Sequence, residues 1–496
     1  MKSRSIGLTI VLSLVLSLLF AIQPVPAQEL TTGTLTGRVT DPTGRPIPEA
    51  VVIVVSTAGT RSASTDANGQ YIVPFLRPGT CSVRVEAGGG FTTAIRSDIS
   101  IGLNQRVTMN FTLEPGKTET VTVTGATPLV DVTSTATGTS VKYDEFANSV
   151  PLGRAFTDTY AIAPGVVSGL GTGKGNYAIG GASGLENSYL IDGVNITNTG
   201  FGGIGSYNIV YGSLGTGVTS EFLDQVQIKT GGFEAEYGQA LGGIINTIVK
   251  SGTNDFKGSL AWYSTPGGYR SAYTPALLTT GASNTVGETV NDFAFSAGGP
   301  IKKDKAYYFV AYNPVITIDN RRANTLSNPA FVPAGAGVSV FDESLATGFG
   351  GPTYAGQPLA FPSATGDLNW TRRADNYAAK FSWQMAPGHQ LELTLFGDPA
   401  TGTSGPQRDT APTFTDFATG GGESRIRFGS NNQSLKWTAV FTPRMFMEAQ
   451  IARHAGVFRE TSTNNEYLYR DLRNLLDSPA APTRTTTRRS ASSRST

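Results

Sequence analysis

The segment NYAAKFSWQM, residues 376–385, sends its side chains alternately to two faces. One face carries the apolar and aromatic side chains, and the other carries Lys380, Ser382 and Gln384. A period of two with one apolar face indicates a β-strand. About ten such residues can cross a bilayer as one strand of a β-barrel, with apolar side chains toward lipid and polar ones toward the lumen. Taken alone, the segment could equally be the edge of a soluble sandwich.

Other segments repeat this pattern, including HQLELTLFG at 389–397 and SLKWTAVF at 434–441. The links after the second, fourth and sixth predicted strands are short, whereas the other links are long. Short turns on one side and long loops on the other are typical of outer-membrane barrels, whose turns are periplasmic. We therefore predict the N-terminal part of a transmembrane β-barrel over 256–460, with strands near 256–264, 290–298, 304–313, 374–385, 389–397, 432–442 and 444–454.

The N-terminus and the composition restrict the class of protein. Lys2 and Arg4 precede an apolar run, and small residues lead to a cleavage site after Ala27. This pattern predicts a secretory signal peptide over 1–27, with an uncleaved anchor as the alternative.

The 60 glycines among 496 residues indicate a mainly β protein with many turns. The 38 basic and 37 acidic residues nearly cancel, which argues against nucleic acid as a partner. The single cysteine, Cys81, excludes a disulfide framework.

Residues 28–114 alternate short apolar segments with turns rich in proline and glycine. About seven short strands in this length predict a small β-sandwich. Val83 and Val85 share one face of a predicted strand. The last strand, QRVTMNFTLE at 105–114, is predicted to point four side chains inward, namely Val107, Met109, Phe111 and Leu113.

The motifs of this segment resemble those of the carboxypeptidase regulatory-like domain, a transthyretin-like sandwich. Cys81 stands where that family usually has tyrosine. The family's fold is an accessory module, sometimes grouped with carbohydrate-binding sandwiches, and fold alone does not settle whether this domain binds carbohydrate. The resemblance is carried by Gly37, Val39, Asp41, Gly44, Pro46, Ala50 and Val52, and then by Thr65, Asp66, Gly69, Tyr71, Leu76, Pro78 and Gly79.

Residues 141–255 combine helix-like spacing at 149–166 with short strands and glycine pairs, and LIDGVNI predicts two strands around an Asp-Gly turn. This region resembles the α+β plug domain of TonB-dependent outer-membrane receptors, in particular the Oar-like branch, which also carries a regulatory-like sandwich at its N-terminus. The residues that carry the resemblance are Pro151, Leu152, Arg154, Phe156, Pro164, Gly165, Asn187, Tyr189, Ile191, Asp192, Gly193, Val194, Val226, Thr230, Gly231, Glu234, Tyr237, Gly238, Gly242, Gly243, Asn246, Lys250, Ser251, Gly252, Thr253 and Asn254.

The segment ETVTVTG alternates valine and threonine within a linker predicted over 115–140. Its place ahead of the plug resembles that of the TonB box, an extended segment that adds as a strand to an edge of TonB. The alternative is that the segment is the last strand of the sandwich. The resemblance implies that the TonB energy-transducing complex is contacted by Glu119, Thr120, Val121, Thr122, Val123, Thr124 and Gly125.

Other candidate residues lie within the plug. Gly231, Gly232, Tyr237, Gly242 and Gly243 are candidates for plug folding, because glycine permits tight turns and close backbone approach. Two residues beside the Asp-Gly turn, Asp192 and Asn195, are substrate candidates, with a turn-stabilising aspartate as the alternative.

The sequence does not predict an enzyme. GLGTGKG and GGASG depart from the phosphate-loop and nucleophile-elbow patterns. The two histidines, His389 and His454, are far apart on predicted strands. We therefore predict no catalytic residues, no metal site and no cofactor.

These segments together predict a mainly β chain: an N-terminal β-sandwich, an α+β plug domain and the first strands of an incomplete transmembrane β-barrel. About 22 strands are expected in a plugged transporter, and the basic, low-complexity tail at 461–496 adds none, so we expect a C-terminally truncated product. The family resemblance implies a receptor in the Gram-negative outer membrane, with its N-terminal domain in the periplasm. Its substrate class stays open among siderophore, cobalamin, glycan and peptide. The alternatives are a surface binding or adhesion protein without transport, and a periplasmic accessory of an enzyme.

Overall fold

The architecture was obtained from a computed structural model. Residues 1–30, which include the predicted signal peptide, lie outside the described part of the chain. Among the described residues, no helix has the length and hydropathy needed to cross a membrane. The structure describes residues 31–115, 120–122, 137–144, 156–167, 175–208, 212–215, 218–233, 237–238, 240–269, 284–323, 353–354, 357–358, 366–404, 424–442, 445–462, 468–471 and 476–479.

The N-terminal sandwich consists of two sheets packed around an apolar core. In the first sheet, β1 lies between the antiparallel β4 and the parallel strands β7 and β8. The second sheet has the order β3-β2-β5-β6-β9. The strands are β1 (Gly33–Thr40), β2 (Val51–Ser56), β3 (Gly59–Ser64), β4 (Gln70–Leu76), β5 (Gly79–Glu86), β6 (Thr93–Ile101), β7 (Arg106–Thr108), β8 (Phe111–Thr112) and β9 (Thr120–Thr122).

The sandwich core confirms the predicted inward faces. Val83 and Val85 are buried, as are all four residues predicted to point inward from the last strand. The motif residue Gly37 permits close approach at one point, since a Cβ there would collide with the carbonyl of Met109. The hydroxyl of Tyr71 donates a hydrogen bond to that same carbonyl over 2.6 Å. These two motif residues therefore hold the segment between β7 and β8 against β1 and β4.

The region predicted as the plug contains a five-stranded mixed sheet of order β10-β17-β18-β13-β14, in which β13 runs parallel to β18. The described part of the helix predicted over 149–166 is a 3₁₀ helix at Phe156–Ile162, after which Gly165 turns the chain with φ +76°. Shorter 3₁₀ helices cover Gly184–Glu186 and Ser220–Phe222. The strands are β10 (Thr137–Lys142), β11 (Val166–Val167), β12 (Ala178–Ile179), β13 (Ser188–Ile191), β14 (Val194–Asn195), β15 (Ser206–Asn208), β16 (Gly212–Leu214), β17 (Leu223–Gly231) and β18 (Ile244–Val249).

A curved run of long antiparallel strands follows, which we call the wall. Its order is β19-β20-β21-β24-β25-β27-β28, and β26 continues β25 between β24 and β27. A 3₁₀ helix at Gly267–Tyr269 follows the first wall strand. The remaining strands are β19 (Lys257–Thr265), β20 (Asn284–Lys302), β21 (Ala306–Ala323), β22 (Thr353–Tyr354), β23 (Gln357–Pro358), β24 (Gly366–Ala386), β25 (His389–Gly397), β26 (Ala400–Ser404), β27 (Ser424–Thr442), β28 (Met445–Ser462), β29 (Leu468–Asp471) and β30 (Leu476–Pro479).

The two faces of the wall confirm the predicted alternation. Lys380, Glu392 and Lys436 are buried on the inner face against the plug sheet and the sandwich. The outer face carries large exposed apolar side chains. Such a band on a barrel is the surface that contacts lipid. It includes Leu260, Trp262, Phe293, Phe295, Val310, Trp383, Leu393, Leu435 and Ile451.

All seven predicted wall strands are present, but most are longer than predicted. For example, β24 contains 21 residues, whereas the prediction covered only 374–385. The prediction followed the apolar face, which is limited to the thickness of the lipid. The ladder hydrogen bonds continue through polar residues such as Arg372 and Thr371, which pair with β21 beyond that apolar band. Within the segment predicted as a tail, β29 and β30 pair as a short hairpin.

Candidate functional site

The β13–β14 hairpin points its turn at the wall. Asp192 and Gly193 both have positive φ, +47° and +77°, as a two-residue Asp-Gly turn requires, which confirms the predicted hairpin. The Asp192 side chain is only 2% exposed, and its Oδ1 lies 3.0 Å from Lys380 Nζ and 3.3 Å from the amide nitrogen of Val249. The side-chain amide of Gln450 donates to the Asp192 carbonyl over 2.9 Å. Two wall strands, β24 and β28, therefore contact this hairpin.

Asp192 belongs to a larger group of buried charges, which we call the charge cluster and which consists of Asp192, Lys380, Glu392, Lys436 and Arg77. Glu392 lies 3.5 Å from Lys380, 3.7 Å from Lys436 and 3.8 Å from Arg77. Burial raises the pKa of Asp192, and the Lys380 ammonium opposes this effect. Because a buried charge is costly without partners, the members depend on one another. The cluster joins the sandwich, the plug sheet and the wall at one point.

A cavity of about 750 Å³ lies between the loops of the plug region and the inner face of the wall. Its lining is dominated by amide and hydroxyl side chains, which offer hydrogen bonds in both directions. Asn195, one of the two predicted substrate residues, lines this cavity, whereas Asp192 is directed into the charge cluster. The polar lining side chains are Asn187, Asn195, Thr197, Asn198, Thr199, Ser430 and His454.

Asparagine side chains hold the loops beside this cavity in place. Asn198 Oδ1 accepts from the backbone amides of Gly200 and Phe201 at 2.9 and 3.0 Å, and its Nδ2 donates to the Gly205 carbonyl over 3.0 Å. The Phe201 ring is 69% exposed at the loop tip. Phe201 is not among the predicted site residues, although an aromatic residue inside a glycine-rich loop is a detectable signal. The loop is therefore ordered by its own asparagine and presents one aromatic ring.

The plug glycines lie where an added side chain would disturb contacts. Asn187 Oδ1 accepts from the backbone amide of Gly243 over 2.7 Å, and a Cβ on Gly242 would collide with the same oxygen. Gly232 has φ +65°, which favours glycine. Lys229 Nζ lies 4.4 Å from the centre of the Tyr237 ring. These contacts support a structural role for the predicted residues, including Gly231 at the end of β17.

The segment predicted as the TonB box is partly described. Thr120–Thr122 form β9, which pairs in parallel with Thr93–Ile95 at the end of the second sandwich sheet. Glu119 and residues 123–125 lie outside the described residues. The pairing is the one expected for a last sandwich strand, and the TonB box stays a prediction. Since β9 is the terminal strand of that sheet, the edge away from β6 has no partner strand in the described chain.

The wall residues of the charge cluster were missed as functional residues. The alternation placed Lys380, Glu392 and Lys436 on the lumen face, but it assigned them no role. The signal was present, because charged side chains on one face of otherwise apolar strands need buried partners when that face is covered. Which partners they have follows only from the contact between segments distant in sequence.

Two protein families match separate parts of the chain. Residues 34–114 match the carboxypeptidase regulatory-like domain, and residues 248–493 match an outer membrane beta barrel domain. The first match covers the sandwich strands β1 to β8. The second begins at the end of β18 and includes the whole wall and the short hairpin that follows it. The two domains therefore flank the region that contains the mixed sheet.

A longer relative is similar in sequence to most of the chain. The TonB-dependent transporter Oar of Myxococcus xanthus is 29% identical over an alignment of 456 residues, and the match covers 87% of this chain and 40% of the relative. The outer membrane transporter YddB of Escherichia coli overlaps 64% of this chain and 38% of its own, with 16% identity and a TM-score of 0.43. The siderophore receptor PirA of Acinetobacter baumannii overlaps 64% and 47%, with 15% identity and a TM-score of 0.34. The chain spans less than half the length of these relatives.

Proposed function

We propose that this chain is a TonB-dependent outer-membrane receptor and that it mediates TonB-energised uptake of a substrate across the outer membrane. It is an outer-membrane protein and not an enzyme. In this function the cavity receives the substrate, the segment 119–125 engages TonB, and the force moves the plug relative to the wall. The cargo is of a size or scarcity that porins do not serve.

The observation that carries this proposal is the polar contact between the mixed sheet and the inner face of the wall. A plug that must move needs an interface that water can enter and replace, and the Asp192–Lys380 and Asp192–Gln450 contacts are polar. Beside these contacts, Phe309 and Phe396 of the wall pack in one apolar cluster with the mixed sheet, so the polar part of the interface is the part that water can replace. The cavity above this contact supports the binding step.

The cavity lining supports a substrate rich in hydrogen-bonding oxygen and nitrogen atoms. Asn195 and Thr197 lie on one side and Ser430 and His454 on the other. Amides and hydroxyls can pair with either donors or acceptors of the cargo. Siderophore, cobalamin, glycan and peptide all have such groups. The exposed ring of Phe201 adds one apolar contact surface near the same loops.

The coupling step is tested by binding of the full chain, in detergent, to the purified C-terminal domain of TonB. Val121→Pro removes a backbone donor in the middle of the predicted box, so we expect at least tenfold weaker binding. Thr133→Pro, in the same linker but outside the box, is the matched control and is expected to bind like the parent.

Failure of the parent chain to bind the TonB domain would contradict the proposal and favour a surface binding or adhesion protein. Equal loss of binding in the Thr133 variant would instead show that the box lies elsewhere in the linker.

A further inference from the structure

The end of β4 departs from the strand pattern to direct an aromatic ring at the wall. Phe75 has φ +59°, a left-handed conformation that bulky residues rarely adopt. Its ring is 1% exposed and lies edge-on to Phe446, with 5.7 Å between the ring centres. A strained residue persists only where surrounding contacts maintain it. The contacts of Phe75 are with the wall and not only with the sandwich.

Two residues further on, Arg77 reaches all three parts of the molecule. Its guanidinium donates to the Gly252 carbonyl over 3.1 Å and lies 3.8 Å from Glu392 of the charge cluster. It also lies over the ring of Tyr307, 5.8 Å from the ring centre. The regulatory-like motif leaves positions 75 and 77 variable, so neither residue is required by the sandwich fold itself.

Other sandwich residues complete one continuous contact surface. The backbone amide of Asn254 donates to the Thr57 carbonyl over 3.1 Å. Side-chain hydrogen bonds join Arg61 to Gln390 and Lys436 to Thr31. We call Thr31, Thr57, Arg61, Phe75 and Arg77 the docking face. Its wall partners lie toward the end of the wall with the short turns, which is the predicted periplasmic end.

We propose that the sandwich acts as an intramolecular clamp: its docking face holds the plug region to the wall from the periplasmic side and must release before the plug can move. This proposal rests on the proposed function, because it assigns a regulatory step to the same uptake cycle. The clamp covers the charge cluster, and Arg77 supplies one of the three cations that balance Glu392 and Asp192.

Chain lengths on the two sides of the predicted box give the order of events. The predicted box includes β9, which pairs with the sandwich strand β6, whereas residues 126–136 separate the box from β10. An extended chain spans about 3.3–3.6 Å per residue, so the sandwich is on the much shorter tether. Force applied at the predicted box therefore acts on the sandwich before it acts on the plug region. The docking face releases before force reaches the mixed sheet.

The clamp is tested by thiol labelling of Ser251→Cys in the full chain in outer-membrane vesicles. Ser251 lines a small cavity between the docking face, the plug region and the wall. We expect slow labelling in the otherwise unchanged chain and at least tenfold faster labelling when Phe75→Ala and Arg77→Glu are added. The matched control adds Val55→Ala and Arg84→Glu, which change exposed residues elsewhere on the sandwich and are expected to leave the rate unchanged.

Cys81 reports separately whether the sandwich stays folded in these variants. It is buried, and burial raises the pKa of its thiol to about 11, so it labels slowly while the sandwich is intact. If Cys81 becomes reactive in the double variant, the labelling of position 251 is measured again with Arg77→Glu as the only change to the docking face.

A rate at position 251 that is fast in the parent, or that changes less than twofold on disrupting the docking face of a folded sandwich, would overturn the clamp. The assay contains neither TonB nor substrate, so its failure is distinct from failure of the proposed uptake.

Discussion

The core of the sandwich is apolar, whereas the junction between the mixed sheet and the wall buries charged as well as apolar side chains. The sandwich core is made of residues such as Leu35, Val52 and Val83, all 0% exposed. The junction buries Asp192 and Lys380 beside an apolar cluster that includes Phe309 and Phe396 of the wall. Apolar burial requires no particular partner, whereas a buried charge requires a specific one. The junction therefore depends on specific charged partners, whereas the sandwich core does not.

This difference explains how one chain can combine a rigid body with a movable one. The sandwich can undock as a unit because its core does not depend on the docking face. The plug region contacts the wall both through the polar contacts of Asp192 and through an apolar cluster that includes Phe309 and Phe396 of the wall. Three predictions sharpen or break this contrast, and they follow in order of expected effect.

The largest effect is expected from Lys380→Met, which leaves Asp192 buried without its cation. Breaking one side of a buried ion pair costs about 3–5 kcal/mol, here in the free energy of separating the mixed sheet from the wall. Faster hydrogen exchange in Ile244–Val249 would measure this loss. Replacing both partners, with Asp192→Asn and Lys380→Met, is expected to recover much of it, because Glu392 keeps Lys436 and Arg77. Unchanged exchange in the single variant would mean that the cluster does not hold the junction.

The second prediction concerns the apolar region. Leu35→Ala removes a fully buried side chain and is expected to lower the free energy of unfolding of the sandwich by about 2–5 kcal/mol. The urea dependence of Cys81 labelling measures this change. Ser62→Ala, on exposed β3, is the control and is expected to change stability by less than about 0.5 kcal/mol. A loss of junction protection as large as the loss of sandwich stability would contradict the independence of the two regions.

The smallest effect is expected from Gly242→Ala in the plug region. The added Cβ displaces the Asn187 amide that accepts from the Gly243 backbone, which leaves a buried group unpaired at a cost of about 1–3 kcal/mol. Hydrogen exchange of Ser188–Ile191 measures the change. Gly238→Ala is the matched control, since nothing lies within 4 Å of a Cβ built there. Equal effects of both substitutions would argue against a packing role for Gly242.

The period-two patterns predicted the number of wall strands and the face on which each side chain lies, but they underestimated the length of most strands. The apolar face of a strand ends with the lipid, and the alternation ends with it. The polar extension of β24 is held by backbone ladders to β21, which leave no mark in the side-chain pattern. The helix predicted at 149–166 shows the opposite error, because helix-like spacing does not distinguish an α-helix from the 3₁₀ helix at Phe156–Ile162.

The candidate site divides in the same way. The Asp-Gly turn could be predicted from the sequence, because a two-residue turn with positive φ favours those residue types. The orientation of the turn could not be predicted from the sequence, because Asp192 faces Lys380, which lies 188 positions away along the chain. Asn195, three residues after Asp192, faces the cavity instead. One turn thus supplies a structural contact and a substrate candidate, and only packing against the wall separates the two roles.

By itself, the sequence determined the elements whose signal is local: the strand alternation of the wall, the glycine and tyrosine motif of the sandwich, and the hairpin turn. The tertiary structure alone decided which buried charges meet, that β9 pairs with β6, and that Phe75 and Arg77 face the wall. The physical reason is that backbone propensity and periodicity act over a few residues. Charge pairing and docking depend instead on surfaces that exist only after distant segments have folded together.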